Sequence, residues 1–95
     1  MEPTKDLANF VTAIKYRDIP PKAVDISKLC ILDSLSCGLG GFGTDLGKAI
    51  VGCVKKFGDV QQSSIIGNGN RVSCTQAAFV NTSLINLLDF DDTYE

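Results

Sequence analysis

The segment that decides the fold is PKAVDISKLCILDSLSCGL, residues 21–39. It predicts one long helix, because Pro21 suits the first helical position, where a missing N–H costs nothing. Apolar residues cover more than one face of that helix: Ala23, Val24, Ile26, Leu29, Cys30, Ile31, Leu32, Leu35 and Cys37. A helix that is apolar most of the way round must be surrounded. The rest of a 95-residue chain can hardly surround it, so we expect the chain to be a piece of something larger.

Three further helices and one hairpin flank this segment. Thr4 is expected to cap a first helix over residues 4–16, and a third helix covers residues 45–57. The turn Gly67-Asn68-Gly69-Asn70 separates two short strands, residues 63–66 and 71–72. Ser73 and Gln76 form a capping box that opens a fourth helix. The fold class is therefore mainly α, a bundle of about four helices with one short β-hairpin, in one domain over residues 1–95.

Composition excludes several classes of partner. The net charge is −2, and no cluster of basic residues is longer than Lys55-Lys56, so we expect no nucleic-acid partner. No apolar run reaches membrane-spanning length, so no membrane partner is expected. The first six residues lack the layout of a signal peptide or of an Arg-rich transit sequence, which favours a cytoplasmic protein, with a mitochondrial location as the alternative.

The chain has no histidine and four cysteines, at positions 30, 37, 53 and 74. No C-x-x-C pair occurs, so a zinc site is not expected, and each cysteine sits among apolar residues, which is typical of small buried reduced thiols. Without histidine, acid–base chemistry near neutral pH has to use Asp, Glu, Lys, Tyr or Cys.

Residues 38–43 match G-x-G-x-x-G, and Asp59 follows roughly where a ribose-binding acid would be. The dinucleotide motif needs a short strand before it, and the preceding segment is too long and too poor in β-branched residues for one. We interpret these glycines as a helix C-cap and a tight turn. Asp33, in the middle of the long helix, is expected to be a buried acid bonded to backbone or to a neighbouring helix.

The chain ends on an acidic stretch, Asp89-Phe90-Asp91-Asp92-Thr93-Tyr94-Glu95, after an apolar run. Acids at a helix C-terminus oppose the helix dipole, so stability alone does not explain them. If the fourth helix continues, Asp89, Asp92 and Thr93 fall at i, i+3 and i+4 on one face. Neighbouring carboxylates repel, so one holds its proton more tightly, which suits an acid or a base. A solvated acidic end, or caps for a following helix, is the alternative that spacing leaves open.

Several motifs in order resemble the N-terminal part of the MmgE/PrpD family, which includes 2-methylcitrate dehydratase, cis-aconitate decarboxylase and iminodisuccinate epimerase. They span nearly the whole chain: Leu7-Ala8 with Phe10-Val11, Tyr16-Arg17-Asp18-Ile19-Pro20-Pro21, Leu32-Asp33-Ser34-Leu35 with Gly38-Leu39-Gly40-Gly41, Ser64-Ile65-Ile66-Gly67, Ala77-Ala78-Phe79-Val80-Asn81, and Leu88-Asp89-Phe90-Asp91-Asp92-Thr93. The last of these is the family's most specific motif.

The resemblance implies a large helical domain beside a smaller α+β domain, a homodimer, and no metal or organic cofactor. It implies small di- or tricarboxylate substrates and proton transfer next to a carboxylate, giving dehydration, decarboxylation or epimerisation. Asp89 and Thr93 match the catalytic positions, and Asp91 and Asp92 are expected to help bind substrate. Family members are several times longer and many have His where Tyr94 stands, so we expect a fragment that is inactive alone.

Two other functions remain open from the residues. Asp89, Asp91 and Asp92 offer hard oxygen ligands, as in a magnesium-dependent diphosphate enzyme on an all-helical fold, although no second acidic cluster accompanies them. The second helix, which is apolar over more than one face, also suits a small non-catalytic helical module that dimerises.

Overall fold

The computed structural model describes residues 2–58 and 60–90 of the chain. These residues form α1 (Pro3–Ala13), a 3₁₀ turn (Tyr16–Asp18), α2 (Pro21–Phe42), α3 (Asp45–Val54), β1 (Ser63–Ser64), β2 (Arg71–Val72) and α4 (Cys74–Asn86). The two strands pair antiparallel. The predicted fold class, mainly helical with one short hairpin, is confirmed.

Helix α1 begins one residue earlier than predicted. Pro3 occupies its first turn, and Glu2 stands at the N-cap without a side-chain hydrogen bond, so Thr4 is not the cap. The fixed φ of proline suits this position, which explains the earlier start. The helix also ends at Ala13 rather than near Tyr16, and a separate 3₁₀ turn follows, where the Lys15 backbone N–H donates to the Asp18 carboxylate at 3.0 Å.

Helix α2 begins at Pro21, as predicted, but continues to Phe42. The interpretation of these glycines as a C-cap and turn is therefore wrong for Gly38, Gly40 and Gly41, which are helical, and is confirmed for Gly43, which is the C-cap of α2. A Cβ on Gly41 would overlap the backbone carbonyl of Leu84 in α4, so glycine permits close contact between the two helix backbones. Glycine costs a helix about 1 kcal/mol relative to alanine, and this packing offsets that local cost.

The hairpin follows the predicted turn chemistry. Gly67 and Gly69 have φ of 110° and 70°, in the region that favours glycine. Its strands are two residues each, with Ser63 opposite Val72 and Ser64 opposite Arg71. Both strands of the prediction are present, although the first is shorter than residues 63–66.

The core lies between α3, the hairpin and α4. Its buried side chains are Val51, Val54, Ile65, Val72, Ala77, Val80 and Leu84, with Phe42, Ile50 and Ile66 packed against them. Because Val80 and Leu84 are fully buried, α4 is the element on which the rest of this small core is assembled.

Much of the apolar surface of α1 and α2 is uncovered within the described residues. No residue of α1 is buried. Exposed apolar side chains on α2 are Ile26, Leu29, Ile31, Leu32, Leu35 and Leu39, each between 46% and 65% accessible. The Cα radius of gyration is 16.4 Å, against about 13 Å for a compact domain of 100 residues. Residues 2–58 and 60–90 therefore do not surround α2, in agreement with the prediction from its apolar pattern.

Two predictions of burial fail for the same reason. Asp33 on α2 is exposed rather than buried. Cys30, Cys53 and Cys74 are exposed and Cys37 is only half-buried, so the cysteines are not core thiols here. In each case the expected burial needs neighbours that the described residues do not supply.

Within residues 2–58 and 60–90, no helix is both long and apolar enough to cross a lipid bilayer.

Candidate functional site

The predicted site begins at the end of α4, and contacts along this helix hold it in place. At its start, the Ser73 hydroxyl accepts from the Gln76 backbone N–H at 3.2 Å, which confirms the N-cap. The Gln76 side-chain amide donates to the Phe57 carbonyl at 2.9 Å. The capping residues therefore also attach the start of α4 to the segment that follows α3.

Helix α2 holds the C-terminal end of α4 by close contact. Besides the Gly41 contact with the Leu84 backbone, a Cβ on Gly38 would lie 3.0 Å from Ile66 and 3.3 Å from Ile85. Glycine is required at position 41, where a Cβ would meet backbone, whereas a Cβ on Gly38 would meet side-chain atoms that have to shift slightly. The last two turns of α4 are thereby held against α2.

Asn81 attaches the hairpin to α4. Its side-chain oxygen accepts from the Ile66 backbone N–H at 2.8 Å, and its side-chain nitrogen donates to the Ser64 carbonyl at 3.0 Å. One amide side chain thus satisfies two backbone groups of the hairpin that point away from the partner strand. We gave Asn81 no role from the sequence, although it stands within one of the motifs.

Helix α4 ends before the acidic stretch. Its last helical residue is Asn86, and the backbone N–H of Asp89 donates to the Asn86 carbonyl at 3.0 Å. Asp89 has φ of 57° and is the one non-glycine residue with positive φ among those described. The condition of the prediction that aligns Asp89, Asp92 and Thr93, a fourth helix that continues through Asp89, is therefore not met, because α4 ends at Asn86 and Asp89 has a left-handed backbone.

Asp89 is the single predicted site residue that the structure describes. It is exposed, and the neighbouring Phe90 is 77% accessible. Asp91, Asp92 and Thr93 lie outside the described residues, so their grouping with Asp89 stays a prediction. The one ion pair within residues 2–58 and 60–90 joins Lys5 to Glu2, so Asp89 has no cationic partner in that range.

The same geometry bears on two alternative interpretations, a dinucleotide-binding motif and a metal site. Residues 38–43 lie largely inside α2 rather than in a strand–turn–helix, so the context of a dinucleotide motif is not met there, and Asp59 lies outside the described residues. Across the described ranges, no group of three potential ligands is placed to hold a metal ion. The apolar side chains of α1 and α2 are exposed among the described residues, so the bundle that these residues form is not fully covered.

Comparison with known proteins places the whole chain in one family. Residues 5–95 match the model of the MmgE/PrpD N-terminal domain. A 2-methylcitrate dehydratase of Cupriavidus necator is 33% identical over 96 residues, covering 94% of this chain and 18% of that protein. A cis-aconitate decarboxylase of Mus musculus is 32% identical over 92 residues, covering 96% of this chain and 19% of that protein.

A cis-aconitate decarboxylase-like protein of Aspergillus oryzae is 30% identical over 89 residues, covering 94% of this chain and 18% of that protein. The chain thus spans less than a fifth of the length of these curated relatives. No solved structure matches it significantly.

Proposed function

We propose a function for this chain from the premise that it belongs to the MmgE/PrpD family, whose N-terminal domain it matches over residues 5–95. The chain would form the N-terminal helical part of a lyase that acts on small di- or tricarboxylates without a metal or organic cofactor. The reaction would be a dehydration or a decarboxylation. The family match carries this proposal, and the names of the relatives supply the substrate class.

In this proposal Asp89 and Thr93 are catalytic, and Asp91 and Asp92 help to bind substrate. A carboxylate next to the acidic carbon of the substrate takes up its proton, and the electron pair then expels hydroxide from the adjacent carbon in a dehydration. In a decarboxylation, carbon dioxide leaves and a proton returns to the carbon. The exposure of Asp89 at the end of α4 supports a role in direct contact with substrate.

The 95-residue chain alone is proposed to lack turnover. Carboxylate substrates need cationic partners that form charge-assisted hydrogen bonds. Asp89 has none within the described residues, and the helices that support it are partly uncovered. The active enzyme is proposed to be a cytosolic homodimer in which further chain supplies these groups.

A chimera tests the proposal directly. Residues 5–95 would replace the matching segment of the Cupriavidus necator dehydratase, which amounts to 18% of that protein. We expect the chimera to dehydrate 2-methylcitrate and the 95-residue chain to be inactive. Asp89→Asn in the chimera should lower kcat by about 100-fold or more, the scale of a lost acid–base group.

Asp45→Asn is the matched control, because Asp45 is an exposed aspartate at the start of α3 and lies outside the motifs that carry the family resemblance. This control should keep the activity of the chimera. A folded chimera that remains active with Asn at position 89 would contradict the assignment of Asp89. Turnover by the 95-residue chain would contradict the proposal that it is incomplete.

A non-catalytic dimerising module is the second candidate, favoured by the exposed apolar face of α2. It predicts association of the chain with itself and a folded but inactive chimera. The magnesium-dependent alternative predicts tight Mg²⁺ binding in calorimetric titration, and no cluster within the described residues favours it.

A further inference from the structure

The backbone at Asp89 differs from that of every other described non-glycine residue. Its φ of 57° lies in the left-handed region, which costs most L-residues about 1 to 2 kcal/mol. Asp and Asn are enriched there several-fold, whereas β-branched residues are outliers. The residue that ends the turn after α4 is therefore also the residue to which we assign the chemistry.

This turn is closed by hydrogen bonds on the path from α4. The Leu87 N–H donates to the Leu84 carbonyl at 3.4 Å, and the Asp89 N–H donates to the Asn86 carbonyl at 3.0 Å. Leu84 is fully buried and lies against Gly41, so the start of the turn is anchored in the core. The direction in which the chain leaves α4 is then set by the left-handed residue at position 89.

We propose that Asp89 has a second, positioning role: its left-handed backbone ends the turn that follows α4 and fixes the direction in which its carboxylate and Phe90 leave that turn. The inference rests on the proposed function in one respect only, which is that position 89 must carry a carboxylate. Position 89 then requires an acid that tolerates positive φ, and Asp meets this better than Glu. Glu at position 89 would keep the charge and lose the turn.

The test measures thermal unfolding of the 95-residue chain with Gly or Val at position 89. Asp89→Gly should leave the midpoint unchanged or raise it, and Asp89→Val should lower it by about 5 to 15 °C. Asp33 in α2 is the matched position, exposed and without positive φ. There the order should invert, because glycine is the worse residue inside a helix.

Two further readouts separate positioning from a loss of general stability. In NMR spectra, the intraresidue HN–Hα NOE of Asp89 should show the positive φ, and it should persist in Asp89→Asn. In the chimera, Asp89→Glu should lose activity although it keeps a carboxylate. Equal midpoints for the Gly and Val variants, no cooperative transition, or a negative φ at Asp89 would overturn the inference. An inactive chimera would instead count against the proposed function alone.

Discussion

The Asn81 side chain forms hydrogen bonds with the backbone of the hairpin, as a third strand would in a wider sheet. The Ser64 carbonyl belongs to β1 and the Ile66 N–H to the turn that follows it, and both groups face Asn81. The two ends of the Asn81 amide meet these groups at 3.0 Å and 2.8 Å. A single polar side chain on α4 thus holds the hairpin on the helix that leads to Asp89.

Replacing Asn81 with alanine should destabilise the chain by about 1 to 2 kcal/mol, because the Ile66 N–H and the Ser64 carbonyl both lose a partner. Urea denaturation monitored by circular dichroism would measure this loss. Thr82→Ala is the matched control, since Thr82 is the next residue of α4 and is exposed. Equal stability of the two variants would show that the amide contributes nothing beyond what water supplies.

The sequence predicted the local features of these residues well. A proline at the start of α2, a Ser–Gln pair at the start of α4 and glycines in the hairpin turn each act through their own backbone or a near neighbour. The role of Asn81 was not predictable, because its partners are residues 64 and 66, brought close only by folding. A polar residue directly after the buried Val80 was the only signal.

At the scale of the helix, the glycines of α2 show why propensity alone fails. Glycine normally weakens a helix, so the run at residues 38–41 predicted an end. The structure keeps these residues helical because the backbone of Leu84 lies where the Gly41 side chain would be. No local pattern indicates a contact with Leu84, which is distant in sequence. The spacing of Gly38 and Gly41 nevertheless puts both glycines on one face of the helix.

Gly41→Ala should therefore destabilise the chain by about 1 to 3 kcal/mol, the usual cost of forcing extra volume into a packed contact. Gly52→Ala in α3 is the matched control, since a Cβ there meets nothing within 4 Å. That control should stabilise the chain by about 0.5 to 1 kcal/mol, because alanine is the better helix residue. Chemical denaturation of both variants would decide, and a stabilised Gly41→Ala would mean that the two helices lie further apart.

At the scale of the whole molecule, the sequence predicted the uncovered surface of α2 better than the backbone at the start of the acidic stretch. The all-round apolar pattern of α2 correctly predicted a helix that the described residues do not surround. The left-handed backbone of Asp89 was not predictable, because no glycine marks that position. Burial of Asp33 and the cysteines was predicted wrongly because their covering elements are not among the described residues.

The uncovered face of α2 should make the isolated chain associate and bind apolar dyes, since exposed apolar patches of this kind seek cover. Leu29 and Leu32 are 65% and 61% accessible, so Leu29→Lys with Leu32→Lys should reduce both effects and leave the helical content unchanged. Sedimentation velocity over a concentration series and fluorescence of a bound naphthalene sulfonate dye would measure them.

Ser27→Lys with Ser36→Lys adds the same two charges to exposed positions of α2 without removing leucines, so it separates the effect of charge from that of the leucines. If this variant reduces association as much as the leucine changes do, the added charge is the cause and the apolar face is not the binding surface. If the unaltered chain sediments as a monomer and binds no dye, α2 does not require cover. The exposed leucines would then be compatible with a finished fold, and only the missing cationic partners of Asp89 among the described residues would remain as a physical reason for proposing that the active enzyme needs further chain.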